Sequence, residues 1–256
     1  MLFDSNNRNW EQWPDRICPN VVDQMIREPH LLIAGTTGCG KSTLIHAIIS
    51  ALLTRDPQHT ELILIDPKQI ELGRFCTPHA IRYAYTPRQM LSALEYASAM
   101  MDARYNAQRR TGETGWRGLY VIIDELADLM LNQRKEVMPV LQHLLQLGRA
   151  ANIHVIAATQ CPNRRVIPAE LVLNFTGRIG MRCLSPIESR QIIGQNGCET
   201  LPRYGTFYFA NAEGLNIWFG FEPTDPDVLQ KKIDFWNEQA GAGHSIRAWF
   251  RKHGIA

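Results

Sequence analysis

The segment LLIAGTTGCGKSTLIHAI, which runs from Leu31 to Ile48, decides the fold class of this chain. It starts with a short apolar run typical of a buried strand, and the pattern G-x-x-x-x-G-K-S follows from Gly35 to Ser42. From Lys41 onward, apolar residues return at the spacing of a helix. A strand, a glycine-rich loop and a helix in this order predict a phosphate-binding loop, in which backbone N–H groups at the helix N-terminus converge on phosphate oxygens.

The polar residues of this loop predict that it binds ATP together with Mg²⁺. Lys41 would neutralise the β- and γ-phosphates, Ser42 would be a ligand of Mg²⁺, and Thr43 would contact the α-phosphate. A glycine-rich turn that matches the pattern by accident is the alternative, and the strand–loop–helix context argues against it. The predicted nucleotide-binding residues are Gly35, Thr36, Thr37, Gly38, Cys39, Gly40, Lys41, Ser42 and Thr43.

The composition is that of an ordinary globular protein, with 45% hydrophobic and 20% charged residues. No apolar run reaches the roughly 20 residues that a membrane span needs. The N-terminus also lacks the basic-then-apolar pattern of a secretory signal. Six cysteines without a C-x-x-C pair predict reduced thiols rather than a zinc site. We therefore expect a cytoplasmic protein that has no membrane segment of its own.

Short apolar runs alternate with helical segments over most of the chain. Continuous apolar strands separated by helices predict an α/β fold with a mainly parallel central sheet flanked by helices. Near the end, GTFYFA and LNIWFGF are joined by NAEG, which predicts a C-terminal β-hairpin. We expect an N-terminal arm at residues 1–29, a nucleotide-binding domain at 30–222 and a C-terminal helical extension at 223–256.

A second motif, LYVIIDELADLM, contains an apolar strand that ends at Asp124 and Glu125. A carboxylate at the C-terminal end of a strand beside the phosphate loop can hold Mg²⁺ through water, as the Walker B aspartate does. The adjacent Glu125 could act as the general base that orients an attacking water, which an ATP hydrolase needs. The alternative is that the two carboxylates only cap the end of a strand.

Two further residues are candidates for sensing or completing the nucleotide site. The strand IHVIAATQ ends at Gln160, whose amide could contact the γ-phosphate and report its loss, or could only make a strand-end hydrogen bond. Arg149 lies in the turn before this strand. It could pair with a carboxylate of its own chain, or reach a neighbouring subunit's nucleotide as an arginine finger. The spacing leaves both roles open.

The segments PHLLIAGTTGCGKS, LILIDPKQIEL, VIIDELADLM, GRAANIHVIAATQ and GRIGMRCLSPIESRQII occur in this order. Together they resemble the motor domain of the FtsK/SpoIIIE family of DNA translocases, from about Pro29 to Asp234. The resemblance implies a RecA-like P-loop ATPase domain at 30–222 that assembles as a homo-oligomer, a hexameric ring, and moves double-stranded DNA with ATP. It assigns catalysis to Lys41, Glu125, the sensor Gln160 and the trans finger Arg149, and Mg²⁺ binding to Ser42 and Asp124.

The resemblance also indicates which residues contact DNA. The family's DNA-contacting loops correspond to CPNRRVIP and SPIESR in this chain. Arginine contacts to DNA phosphates would be independent of base sequence, which suits a motor that tracks along DNA. The net charge of +2 neither demands nor forbids such a partner. The candidates, which could instead be solvated surface arginines, are Arg164, Arg165, Arg182 and Arg190.

Three functions remain open on the sequence. The first is a minimal DNA motor of the FtsK/SpoIIIE type, in a setting such as a plasmid, a phage or a conjugative element. The second is a protein-secretion or docking ATPase of the same superfamily, against which the intact phosphate loop and Asp124-Glu125 pair argue modestly. The third is a P-loop enzyme that does not translocate anything, such as a small-molecule kinase, which has less need of a base like Glu125.

Overall fold

In the computed structural model, the described residues form eight strands in a single sheet. The structure describes residues 21–160, 162–203, 205–219 and 226–239, so most of the predicted arm and the end of the predicted extension lie outside the described residues. The strands are β1 (His30–Ala34), β2 (Thr60–Ile65), β3 (Ala80–Ala84), β4 (Gly118–Ile123), β5 (Ile153–Thr159), β6 (Gly177–Gly180), β7 (Thr206–Asn211) and β8 (Gly214–Phe219).

The strand order is β3-β2-β4-β5-β1-β6-β7-β8. All neighbours from β3 to β6 are parallel, whereas β7 is antiparallel to both β6 and β8. The predicted α/β class, its mainly parallel sheet and the C-terminal hairpin are therefore confirmed. Strand β3 was not predicted from the sequence; it is an edge strand whose Arg82 stacks over the ring of Tyr96. Its polar residues break the apolar run by which the other parallel strands were recognised.

The described residues also form seven α-helices, which connect and cover the strands. Three of them begin where the sequence did not predict a helix, and one of these is the fifth, which starts at Ala169. The fourth starts directly after Glu125 and has non-helical backbone at Gln133, and the sixth starts at Pro186 in a segment predicted as a loop. None of the described helices is long and apolar enough to cross a membrane. They are α1 (Val21–Met25), α2 (Lys41–Arg55), α3 (Pro87–Thr111), α4 (Leu126–Leu147), α5 (Ala169–Leu173), α6 (Pro186–Ile193) and α7 (Pro226–Gln239).

The core lies on both faces of the sheet. Leu31 and Ile33 of β1 pack with the buried face of α2 on one side. Leu32, between them, packs on the opposite side with the cluster that α3 and α4 cover. All five residues of β1 are buried, as expected for a parallel strand with helices on both faces. The arrangement aligns the C-terminal ends of β1, β4 and β5 along one edge of the sheet, where ligands bind in open α/β folds.

A buried histidine begins β1 at the opposite edge. His30 is only 1% exposed, and its Nδ1 accepts a hydrogen bond of 3.1 Å from the backbone N–H of Val155. Burial, followed by the charge of His154, lowers the pKa of His30 from 6.5 to about 3. The folded protein therefore holds this imidazole neutral at a pH where the unfolded chain protonates it.

We expect the stability contributed by the neutral state of His30 to be complete above pH 6.5 and to be lost as the pH falls towards 3. Between pH 7.5 and pH 5 the free energy of unfolding should drop by about 2 kcal/mol through this group. Urea denaturation of the wild type and of His30→Gln at both pH values measures the difference. The variant should show a smaller drop by about that amount, and an equal drop in both proteins would contradict the assignment.

Candidate nucleotide-binding site

The predicted phosphate loop lies at the C-terminal end of β1 and leads into α2. Gly35 has no room for a side chain, because an added Cβ would lie 2.8 Å from both Cys39 Sγ and Met181 Cβ. Gly40, directly before α2, has φ of 104°, a conformation that L side chains rarely adopt. The N–H of Thr36 donates to the carbonyl of Arg182 at 2.8 Å, which ties the loop to the segment after β6. The glycines thus permit a close, fixed backbone path.

Lys41 is the first residue of α2 and is 7% exposed. Its ammonium group donates to the carbonyls of Gly35 at 2.7 Å and Thr36 at 2.9 Å, so the charge lies inside the loop. Burial lowers the pKa of Lys41, and the nearby carboxylates of Glu125 and Asp124 act in the opposite direction. A concentrated positive charge inside the loop is what binding of the β- and γ-phosphates requires.

Asp124 follows β4 at the same edge of the sheet and is 8% exposed. Its backbone N–H donates to the carbonyl of Ile65, which places the residue at the end of β2 as well. The pKa of Asp124 is raised to about 6, chiefly by burial and next by the nearby charge of Asp66, while Lys68 acts in the opposite direction. No described residue donates a hydrogen bond to this carboxylate. A bound cation would therefore stabilise the ionised form of this carboxylate.

The surroundings of Asp124 fit Mg²⁺. Asp66 is fully buried, and its Oδ2 accepts hydrogen bonds from Leu72 N at 2.9 Å and Glu71 N at 3.1 Å. The other oxygen, Oδ1, has no hydrogen-bond partner. Hard oxygen ligands of this kind suit Mg²⁺, which usually keeps several waters and binds through one or two protein groups and the phosphates of a nucleotide. No cluster of three or more His, Cys, Asp or Glu that could hold a metal is found among the described residues.

Glu125 is held at the tip of β5 by three donors. Its Oε1 accepts from Thr159 Oγ1 at 2.9 Å, from Gln160 N at 3.1 Å and from Ala127 N at 3.4 Å, the last of which caps α4. Its Oε2 has a single contact, 3.3 Å from the same N–H of Gln160. The side chain is 4% exposed. One carboxylate oxygen is therefore fixed by the fold, and the other retains capacity to accept a hydrogen bond from water.

Gln160 connects this carboxylate to the phosphate loop. Its backbone N–H contacts Glu125, and its side-chain Oε1 accepts a 2.8 Å hydrogen bond from Thr37 Oγ1 of the loop. Strand β5 lies between β4 and β1, which explains why its last residues can contact both motifs. Two hydrogen bonds, one from Thr37 to Gln160 and one from Gln160 to Glu125, therefore join the phosphate loop to this carboxylate. The structure thus brings together the phosphate loop, Asp124, Glu125 and Gln160.

Arg149 is not part of this edge. It lies in a 3-10 helix, Gly148–Ala151, immediately before β5, and it is exposed. The seven residues of β5 separate the two edges of the sheet by about 20 Å. This distance is greater than an arginine side chain can span, so Arg149 cannot reach the phosphate loop of its own chain.

The four arginines predicted to contact DNA are all exposed. Two of them follow β5, where Arg134 of α4 donates to the carbonyl of Arg165 at 2.7 Å and fixes the segment. Arg182 follows β6 and donates to the carbonyl of Leu201 at 2.9 Å. Arg190 is on α6, not in a loop, and donates to Asn196 at 2.6 Å. None of the four forms an ion pair with a described residue, so their charges remain available.

Arg203 is a residue of the site that the sequence did not reveal. A Cβ added to Gly38 in the phosphate loop would lie 3.5 Å from Nη2 of Arg203, so this guanidinium lies against the loop. Arg203 belongs to the segment between α6 and β7 and to no motif. Arg203 lies near Gly38 because β6 and β7 follow β1 in the order of the sheet. Local sequence patterns therefore gave no signal for it.

The sequence matches the model of the FtsK/SpoIIIE family at residues 14–116 and 107–164. The DNA translocase FtsK of Rickettsia typhi is 35% identical over 237 residues, covering 74% of this chain and 32% of that protein. The DNA translocase FtsK of Brucella melitensis biotype 1 is 35% identical over 241 residues, covering 76% of this chain and 30% of that protein. The chain thus spans about a third of the length of these relatives.

Solved structures share the fold at low sequence identity. The pCW3 conjugation coupling protein TcpA, solved with ATPγS, superposes with a TM-score of 0.71 at 22% identity, covering 81% of this chain and 64% of that chain. The cytoplasmic domain of the Thermomonospora curvata type VII secretion ATPase EccC gives a TM-score of 0.66 at 22% identity, covering 85% and 28%. Both confirm the P-loop ATPase fold. Because the family model matches more than half of its residues, the chain belongs to the FtsK/SpoIIIE family.

Proposed function

We propose that this chain is an ATP-driven motor that moves double-stranded DNA, and that it hydrolyses ATP between the subunits of a homo-oligomeric, hexameric ring. The observation that carries the proposal is the hydrogen-bonded connection from the phosphate loop through Gln160 to Glu125. A small-molecule kinase has less need of a fixed carboxylate at this position. The relatives that match over most of the chain are DNA translocases. The motor would work in the cytoplasm.

The residues of one subunit would bind the nucleotide and activate water. Lys41 and the N–H groups of residues 35–43 would hold the phosphates, while Ser42 and Asp124 would hold Mg²⁺. The bound ion would neutralise charge on the β- and γ-phosphate oxygens. Glu125 would accept the proton of the attacking water through Oε2, because Oε1 is occupied by Thr159 and Gln160. Gln160 would follow the γ-phosphate through Thr37.

Arg149 would complete the site of a neighbouring subunit. Its exposure and its distance from its own phosphate loop leave a second copy of the chain as the site that it can serve. A guanidinium beside the γ-phosphate stabilises the charge of the transition state. Hydrolysis would then require contact between subunits, which couples ATP turnover to the ring.

The four arginines beyond β5 and β6 would contact the DNA phosphates. Their charges are not paired within the described chain, and two of the side chains that carry them are braced by hydrogen bonds to the fold. Contacts to phosphates give affinity that depends on salt and not on base sequence. Such contacts suit a motor that must release and rebind DNA at every step.

The central test is the rate of ATP hydrolysis with and without duplex DNA at several salt concentrations. We expect duplex DNA to raise the rate several-fold, with a stimulation that weakens as salt increases. The double variant Arg164→Ala/Arg165→Ala should keep the basal rate and lose much of the stimulation. The exposed pair Arg109→Ala/Arg110→Ala on α3 is the matched control. A hydrolysis rate that does not change with single- or double-stranded DNA of any length would refute the DNA motor and favour a protein-transporting ATPase.

A further inference from the structure

The turn that carries Arg149 is held in place by neighbouring residues and not by the arginine itself. The guanidinium of Arg149 has no hydrogen bond or ion pair with any described residue. The turn ends at Asn152, which has a left-handed φ of 53° and whose Nδ2 donates to the carbonyl of Trp116 at 2.7 Å. A Cβ added to Gly148 would lie 2.7 Å from the carbonyl oxygen of Ile153. On this side the turn therefore packs tightly against the start of β5 and the residues before β4.

Helix α3 holds the turn from the other side, at both of its ends. Tyr105 donates its hydroxyl to the carbonyl of Leu147, two residues before Arg149, at 2.7 Å. Arg104 donates through Nη1 to the carbonyl of Ala151 at 2.8 Å and to that of Asn152 at 3.2 Å. Two adjacent side chains of one helix thus bind carbonyls on each side of Arg149.

The burial of the Arg104 charge has a cost in desolvation. Its side chain is 6% exposed and makes no ion pair with a described residue, although the charge of Glu61 is near enough to favour the protonated form. Burial lowers the pKa of this guanidinium. An apolar side chain of similar length could fill the same space without the cost of desolvating a charge. A role in fixing the turn explains why a buried cation lies here.

We propose that Arg104 and Tyr105 are positioning residues for Arg149, which hold its turn so that the guanidinium reaches the nucleotide of the neighbouring subunit. The inference rests on the proposed ring motor, since Arg149 has a catalytic role only in that assembly. Neither residue touches the nucleotide of its own chain, because both lie at the edge of the sheet that is opposite the phosphate loop. Their loss should therefore affect a neighbour's site and leave their own intact.

The first test measures ATP hydrolysis and ATP binding of Arg104→Met, Arg104→Lys and Tyr105→Phe. A displacement of about 1 Å in a catalytic group costs about 100-fold in rate, which is the loss expected in kcat for Arg104→Met. Arg104→Lys and Tyr105→Phe should lose less, because each retains part of the bracing. The Kd for ATP should remain unchanged in all three. A kcat above half of the wild-type value for Arg104→Met and Tyr105→Phe would overturn the inference.

The second test locates the defect by mixing subunits. Arg104→Met has an intact phosphate loop and a misplaced finger, whereas Lys41→Ala has a defective loop and an intact finger. Mixed rings should regain activity at about a quarter of their interfaces, where the loop of the first variant meets the finger of the second, since head-to-tail interfaces pair two different surfaces. Arg104→Met mixed with Arg149→Ala should regain none, because both variants lack a working finger.

Each result separates this inference from the proposed function. If Arg149→Ala hydrolyses ATP at the wild-type rate, the trans finger itself is refuted. If Arg149→Ala is inactive while Arg104→Met and Tyr105→Phe are fully active, only the positioning role is refuted. If Arg104→Met is inactive and mixing with Lys41→Ala does not restore activity, the defect of Arg104→Met is structural. The isosteric Tyr105→Phe then decides in the same mixing assay: restored activity supports the positioning role, and no restored activity refutes it.

Discussion

Replacing Glu125 with glutamine is expected to lower kcat for ATP hydrolysis by about 100- to 10,000-fold, the usual contribution of a general base. ATP binding should persist, because glutamine keeps an oxygen that can accept the hydrogen bonds from Thr159 and Gln160. The backbone contact that caps α4 at Ala127 can also remain. The variant should therefore accumulate with ATP bound.

Three measurements check this expectation. Steady-state hydrolysis gives kcat, binding of labelled ATP gives Kd, and the mass in solution with ATP shows whether rings are trapped. Glu136→Gln is the matched control, since Glu136 is an exposed glutamate on the same helix, α4. It should hydrolyse ATP at the wild-type rate. A Glu125→Gln variant with an unchanged kcat would mean that another group activates the water.

Features that depend on adjacent residues were predicted well from the sequence. The pattern from Gly35 to Ser42 predicted the loop, and α2 begins at Lys41, as the helical spacing of the apolar residues indicated. Strand β4 ends directly before Asp124, so the carboxylate pair lies where the motif required it. Phosphate-loop chemistry depends on backbone geometry over a few residues, which explains why local sequence is sufficient.

Features that depend on contacts between distant segments were not predicted. Glu125 and Gln160 were predicted as site residues from the sequence. The hydrogen bond that Thr159 donates to Glu125, 34 positions earlier in the chain, was not. Arg203 reaches Gly38 only through the order of the strands. The bracing of the Arg149 turn by α3 joins residues 42 to 48 positions apart. Periodicity cannot encode these contacts, because each is created by the packing of whole elements.

Replacing Arg149 with alanine is expected to lower kcat by about 1,000- to 100,000-fold, the range measured for arginine fingers in related phosphoryl-transfer sites. The expectation rests on two observations, namely that Arg149 is exposed and that β5 separates it from its own phosphate loop. A residue at the far edge cannot act in its own site. The affinity of the isolated subunit for ATP should therefore remain unchanged.

The decisive measurement mixes Arg149→Ala with Lys41→Ala, each of which should be inactive alone. Activity should return on mixing, because one subunit provides the phosphate loop and the other provides the arginine. Arg110 is an exposed arginine at the end of α3, and Arg110→Ala is the control that should retain full activity. If Arg149→Ala is inactive and mixing restores nothing, the arginine acts within its own chain, and the distance imposed by β5 would have to be closed by a rearrangement of the turn. A restored rate would instead show that two neighbouring subunits share each active site, so that hydrolysis requires the assembled ring.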